Sequence, residues 1–419
     1  MKPAEIHAHP PSSVRRVSRG AGETLFVFVL VDALGWNLLP PSGLLPDLLP
    51  HQRPLRSILG FSSGAIPTLL TGQPPQVHGH WNLLAYDPPN SRFAWLRHFS
   101  WLPASWLGNR YSRRLVQLIG RWCLGAGSSF ACAVHPRLLP LLRWTEERNF
   151  YAPGGLAPAT SVFDEWEQYG LPFRIYSYRD GWRHVPDEDL LARAERDLRR
   201  GMASAYFVYL SGLDHFLHLH RTEPDLVRAR LDHLAGQLRR LFTVAREADP
   251  EAELSVASDH GMAPVTRRFD LVAGVEALGF RMPEEYLAIY DSSMARFWFF
   301  SAAARRMITA RLRQLPCGRI LTPAELAAEG VLFADQRFGE VVFLLHPGWL
   351  AATSDFHGRG WHPTGMHGYD PADADSSAVL LSSHAPPPAL TTIAGLHDWL
   401  RRPILAAAAV GPRCAEVAS

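Results

Sequence analysis

The chain is predicted to be an α/β protein with a doubly wound, mostly parallel sheet sandwiched between helices. Two observations predict it. Apolar, β-rich runs alternate with helical patterns along most of the 419 residues, the order that winds helices over both faces of one sheet. Several runs are apolar at nearly every position rather than every second one, as strands covered on both faces are. Three of them lead into an aspartate: FVFVLVD into Asp32, YLSGLD into Asp214 and SVASD into Asp259. In an open α/β sheet the C-terminal strand edge is where ligands bind.

Taken in order, residues 1–22 are rich in Pro, Ser and Arg and are expected to form a loose tail, leaving 23–419 as one core domain. Strands are expected at 24–31, 173–178, 206–210, 253–258, 295–300, 340–345 and 378–381. Helical patterns are clearest at 186–200 and 224–248, with others near 269–278 and 302–315. Residues 91–160 break the alternation. They carry Trp95, Trp101, Trp106, Trp122 and Trp144 among Arg110, Arg113, Arg114, Arg121, Arg137 and Arg143, and are expected to be an inserted, mostly helical cap. These tryptophans suit either the cap's own core or an aromatic, basic rim open to an anionic amphiphile or a membrane surface.

Composition narrows the class. A chain of this length that is 47% hydrophobic can bury one large core, or a core plus a cap. A net charge of +2 gives no global pull toward nucleic acid. Lys2 is the only lysine, so any phosphate clamp must use arginine, histidine or backbone N–H groups. Cys123, Cys132, Cys317 and Cys414 form neither a disulfide framework nor a CxxC zinc site. The first twenty residues lack the apolar stretch of a signal peptide. The run around Asp32 is too short to span a bilayer. A cytoplasmic location is the default expectation.

The chemistry lies in five separated segments. Asp32 follows a strand-like run, where it could be a metal ligand or a helix N-cap. Asp214 and His218 stand four apart, sharing one face of a helical turn. Asp259 and His260 close a strand just before Gly261, and His367 is flanked by Gly365 and Gly368. Ser62 lies in GFSSGAIPTLLTG. Aspartates, histidines and a hydroxyl converging at one sheet edge make a site for two divalent metals. Oxygen and imidazole donors without thiolates suit catalytic Zn²⁺, Mn²⁺ or Fe rather than a structural zinc.

These segments resemble the alkaline phosphatase superfamily, and most closely its type I phosphodiesterase/nucleotide pyrophosphatase branch. In that branch the nucleophile stands nine residues before the Thr of a TG pair, and HG and YD pairs follow. Counting back from Thr71-Gly72 reaches Ser62, with His78-Gly79 and Tyr86-Asp87 in place and Ser63 as the neighbouring rival. The resemblance implies an alkaline phosphatase-like fold and two metal sets: Asp214, His218 and His367 for one ion, and Asp32, Ser62, Asp259 and His260 for the other. The branch's transition-state asparagine corresponds to Asn82, which stands one residue early with Leu83 in the expected place. Arg179, after the run FRIYSY, is the expected anion contact, or else an exposed loop arginine. His80, His215, His220, His357 and His362 are surplus histidines near the motifs.

The expected activity is metal-dependent hydrolysis of a small-molecule phosphodiester or pyrophosphate through a phospho-serine at Ser62. The substrate is expected to carry an apolar or aromatic part. Alternatives on the same core are a phosphatase, a phosphonate or sulfate-ester hydrolase, and a phosphomutase. A non-catalytic binding protein would need a lost ligand, and the set has no gap.

Overall fold

Six strands form the main sheet: β1 (Phe26–Val31), β2 (His51–Leu55), β3 (Phe173–Tyr176), β4 (Ala205–Leu210), β5 (Glu253–Ala257) and β6 (Ala378–Ser382), in the order β2–β6–β5–β1–β4–β3. The computed structural model describes residues 24–99, 110–123, 134–180, 183–356 and 361–409, and the expected tail 1–22 lies outside them. β5, β1, β4 and β3 are parallel, while β6 runs antiparallel to both β5 and β2. This is the mostly parallel, doubly wound sheet the sequence predicts.

The sequence of β1 shows how both faces are covered. Val27, Val29 and Val31 join one buried cluster, with residues of the helices Asp187–Arg200 and Pro224–Ala248. Phe26, Phe28 and Leu30 join another, with residues of the helices Ser62–Thr71, Val162–Gln168 and Leu396–Leu400. Since side chains alternate across a strand, Asp32 continues the second set. It therefore emerges on the face that carries the Ser62 helix.

Two expected strands belong elsewhere. Met294–Phe299 and Val341–Leu345, near the expected 295–300 and 340–345, pair antiparallel in a second, four-stranded sheet with Tyr286–Tyr290 and Gly318–Ile320. An apolar strand reads alike in either sheet, because both are covered by packed elements.

Among the described residues of 91–160 are the α-helix Arg110–Cys123, two 3₁₀ segments and the short strand Leu142–Trp144, which pairs with Leu84–Tyr86. Leu96, Val116, Leu138 and Trp144 pack with Leu287, Ile289 and Trp298 of the second sheet, and Trp95 lies partly buried against them. Trp101 and Trp106 lie outside the described residues, as does the side chain of Trp122. Phe150, Tyr151 and Leu156 pack instead under the main sheet.

Candidate metal centre

Asp32, Asp214, Asp259, His218, His260 and His367 come together at the C-terminal edge of β1, β4 and β5, with Ser62 at the start of its helix. Asp32 is not a helix cap. It extends the parallel ladder, its N–H donating to Leu210 O at 2.9 Å, and the chain then turns through Ala33 in the left-handed region. Its Oδ2 accepts from the Tyr209 hydroxyl, leaving Oδ1 facing His260 Nε2 at 3.4 Å. Asp259 is divided the same way. Its Oδ1 accepts from the N–H groups of Ala33 and His260, while Oδ2 faces His260 Nε2 at 3.3 Å.

Two of the histidines are oriented by backbone carbonyls. His260 Nδ1 donates to Gly261 O at 2.9 Å and His218 Nδ1 to Gly365 O at 2.8 Å. A carbonyl can only accept, so in the neutral rings the Nε2 lone pairs are turned into the site, as metal-ligating imidazoles require. The helix Gly212–His220 sets His218 Nε2 3.4 Å from Asp214 Oδ1, and His367 Nε2 approaches the same oxygen at 3.5 Å. The rings of His260 and His367 stack at 3.9 Å, joining the two halves.

Two donor groups could each hold an ion: Asp32, Asp259 and His260, and Asp214, His260 and His367. The chemistry of the carboxylates fits such ions. Among the described residues no donor meets the buried Asp32 Oδ1, Asp214 Oδ1 or Asp259 Oδ2, a costly state that a cation relieves. Burial, then the Asp259 and Asp214 charges, hold the Asp32 carboxyl well above its usual range. Burial also opposes ionisation of Asp214, but the adjacent His218, His367 and His260 outweigh it and hold that carboxyl low. For His218, burial is opposed and exceeded by Asp214, which raises it.

Ser62 is the first residue of the ten-residue helix Ser62–Thr71, and its Oγ lies 2.9 Å from His260 Nε2. Ser63 turns away, donating to Trp81 O at 3.1 Å. The unused N–H groups of a helix's first turn favour an anion. A cavity of about 210 Å³ opens over this point, lined by Phe61, Ser62, Asn82, Leu83, Tyr178, Asp214, His218, Phe356, Met366 and His367. Asn82 is 1% exposed, and Thr145 Oγ1 donates to its backbone carbonyl at 2.8 Å. Its Nδ2 donates to the weak acceptor Met294 Sδ, at 3.7 Å.

Among the described residues, His215, His220 and His362 belong to neither donor group and do not line the cavity. Arg179 belongs to a two-residue strand with Asp180, and its side chain lies outside the described residues, as does all of His357. His215 is exposed, His220 pairs with Glu223 and His362 meets Arg268. Sequence reasoning missed Tyr209, 177 residues from the Asp32 it holds. It also missed the cavity walls Tyr178 and Phe356, which no local motif marks.

A model of the type I phosphodiesterase/nucleotide pyrophosphatase family matches residues 61–370. No curated protein matches the chain in sequence. Among solved structures, murine ectonucleotide pyrophosphatase/phosphodiesterase 5 aligns with a TM-score of 0.62 and 16% identity, over 90% of this chain and 94% of that one. An inactive variant of the murine protein in complex with AMP aligns with a TM-score of 0.62 and 17% identity, over 91% and 95%. Phosphonoacetate hydrolase from Sinorhizobium meliloti, in complex with phosphonoformate, aligns with a TM-score of 0.60 and 13% identity, over 91% and 96%.

Proposed function

The chain belongs to the type I phosphodiesterase/nucleotide pyrophosphatase family of phosphoester hydrolases, and from that premise we propose that it cleaves a small phosphodiester or pyrophosphate with Ser62 as nucleophile. The observation that carries this is the position of Ser62 Oγ. It sits at a helix N-terminus, 2.9 Å from the His260 Nε2 that both donor groups share.

Asp214, His218 and His367 would hold one divalent ion, and Asp32, Asp259, His260 and Ser62 the other, zinc first with manganese or iron as alternatives. Bound there, the ions would supply positive charge that lowers the pKa of the Ser62 hydroxyl and neutralises the phosphoryl oxygens. The Ser62 hydroxyl gives up its proton to solvent and Oγ attacks phosphorus. The bond to the leaving-group oxygen breaks and that oxygen takes a proton from solvent, leaving a phospho-serine and releasing an alcohol or phosphate. Water then attacks phosphorus, the P–Oγ bond breaks, and a proton from that water restores the Ser62 hydroxyl. Throughout, the first-turn N–H groups and the Asn82 amide would bear on the phosphoryl oxygens, where charge accumulates in the transition state. Arg179 is a further anion contact on this proposal.

Phe61, Leu83, Tyr178, Phe356 and Met366 in the cavity wall support an ester whose leaving group has an apolar or aromatic part. A nucleoside phosphate qualifies, as does an aryl or lipid-linked diester. The test is chelation followed by metal return. Hydrolysis of a nitrophenyl diester should vanish and recover with Zn²⁺ or Mn²⁺, and elemental analysis should find about two transition-metal ions per chain. Full activity in a verified metal-free preparation would sink the proposal.

A further inference from the structure

Among the described side chains of the helix Arg110–Cys123, one position is buried and the large apolar residues fall on one exposed stripe. Val116 is 7% exposed and packs in the core shared with the second sheet. Tyr111, Leu115 and Leu118 are 68%, 58% and 44% exposed. At roughly 100° per residue, these three positions fall within about 60° of one another on the helix, well away from Val116. Such a stripe of large apolar side chains facing water costs free energy unless something covers it.

Charge says what. Positions 110, 114 and 121, all arginine, fall together on a flank of that stripe by the same periodicity, and Arg114 is exposed. The surrounding sequence is one-signed: residues 91–145 contain eight arginines and no aspartate or glutamate. This contrasts with a whole-chain net charge of only +2. An apolar stripe beside a basic flank is the form that lies in the plane of an anionic bilayer, leucines in the acyl boundary and guanidinium groups among the headgroups. Nucleic acid would use the arginines but leave the leucines in water. A second copy would cover the leucines but bring two basic faces together.

We propose that the helix Arg110–Cys123 docks the protein on an anionic membrane surface through Leu115, Leu118 and Arg114. Among the described residues no helix is long and apolar enough to cross a membrane, so the contact is interfacial. It also lies near the catalytic cavity, because the cluster that seats Val116 includes Leu83, which lines that cavity.

The test is flotation of the full, metal-loaded chain with vesicles of phosphatidylcholine alone or of equal parts phosphatidylcholine and phosphatidylglycerol. The chain should float with the mixed vesicles, less so as salt is raised, and stay behind with the neutral ones. The double variant Leu115→Glu/Leu118→Glu should lose affinity for the mixed vesicles by about tenfold or more. Its melting temperature and its hydrolysis of a soluble nitrophenyl diester should be unchanged. Arg114→Glu should weaken binding less. Absence of flotation, or equal flotation of parent and double variant, overturns the proposal. So does a double variant that only turns a dimer into a monomer, or a chain that holds single-stranded DNA but no vesicle. Soluble-ester hydrolysis reports on Ser62 chemistry and flotation on this surface, so the two proposals fail separately.

Discussion

Ser62 and Ser63 are neighbours in sequence with different partners. On a helix adjacent side chains point about 100° apart, so Ser62 Oγ meets His260 while Ser63 Oγ bonds Trp81 O. Ser62→Ala should therefore lower kcat by roughly a thousandfold or more with the melting temperature retained. Ser63→Ala should cost about 1 kcal/mol of stability and little kcat. The reverse order in a kinetic assay would make Ser63 the nucleophile. A second prediction concerns His78, whose Nδ1 accepts from the His80 N–H and whose Nε2 donates to Thr68 Oγ1. Burial, with His80 nearby, pushes its pKa down to about 3. The unfolded chain thus takes up a proton near pH 6.5 that the folded chain refuses, and stability present above that pH is lost as pH falls toward 3. The slope from this group approaches about 1.4 kcal/mol per pH unit. Urea titrations should show a flatter acid limb for His78→Gln, and equal slopes would remove His78 from the acid response. At this scale the candidate ligands were legible because each follows a strand end or sits in a short motif. The choice between Ser62 and Ser63 was not, since it depends on helix phase. Nor was the bond from Tyr209 to Asp32, which only the parallel register of β1 and β4 creates.

Elements were legible where packing imposes a pattern. The helix Pro224–Ala248 and the six-residue β1 appear close to the bounds their sequences predict, because a long amphipathic stripe and an all-apolar run each have few alternatives. His51–Leu55 was missed: HQRPL is an edge strand, partly exposed and carrying Pro54, which suits only an edge. Sheet membership was equally hidden, as Met294–Phe299 shows, because strand partners depend on chain path rather than local composition. The Ser62 helix offers a test at this scale. Gly64 lies in its first turns, where alanine would ordinarily help by about 1 kcal/mol. Here a Cβ would stand 2.8 Å from Trp81 O and 3.2 Å from Trp81 Cα. Backbone cannot yield as a flexible side-chain tip can, so the clash should win. Gly64→Ala should shift the segment carrying Asn82 and lower kcat on a nitrophenyl diester by about tenfold or more, with a folded circular dichroism spectrum. Activity at the parental level would show that Asn82 tolerates the displacement.

Across the whole molecule the candidate site ties together parts of the chain that share no local contact in sequence. Asp32 and Asp259 lie just beyond β1 and β5, Asp214 and His218 lie on the helix after β4, and His367 directly follows the two-residue strand Gly365–Met366 that pairs with Ala263–Pro264. In the protein alone Asp32 is electrostatically unfavourable there, although the three histidines hold Asp214 ionised. Burial and two neighbouring carboxylates raise Asp32, and three carboxylate oxygens lack donors among the described residues. A raised folded-state pKa marks stability present at low pH and lost as pH rises through it, so at neutral pH the Asp32 carboxylate of the bare site works against folding. Ions that bind only the folded arrangement would reverse this, stabilising by about 2.7 kcal/mol at a hundredfold excess over Kd. Thermal melts at pH 7 should therefore show the chelated protein melting several degrees lower, about 2–4 °C per kcal/mol for a chain of this size or somewhat less, with recovery on adding Zn²⁺. Ser62→Ala should keep most of that shift, since the carboxylates and imidazoles remain. Asp259→Asn should lose most of it, because one charged donor of the buried group is gone. If Asp259→Asn responds to zinc as fully as the parent, the metal binds elsewhere, and the assignment of these residues as ligands would have to be withdrawn.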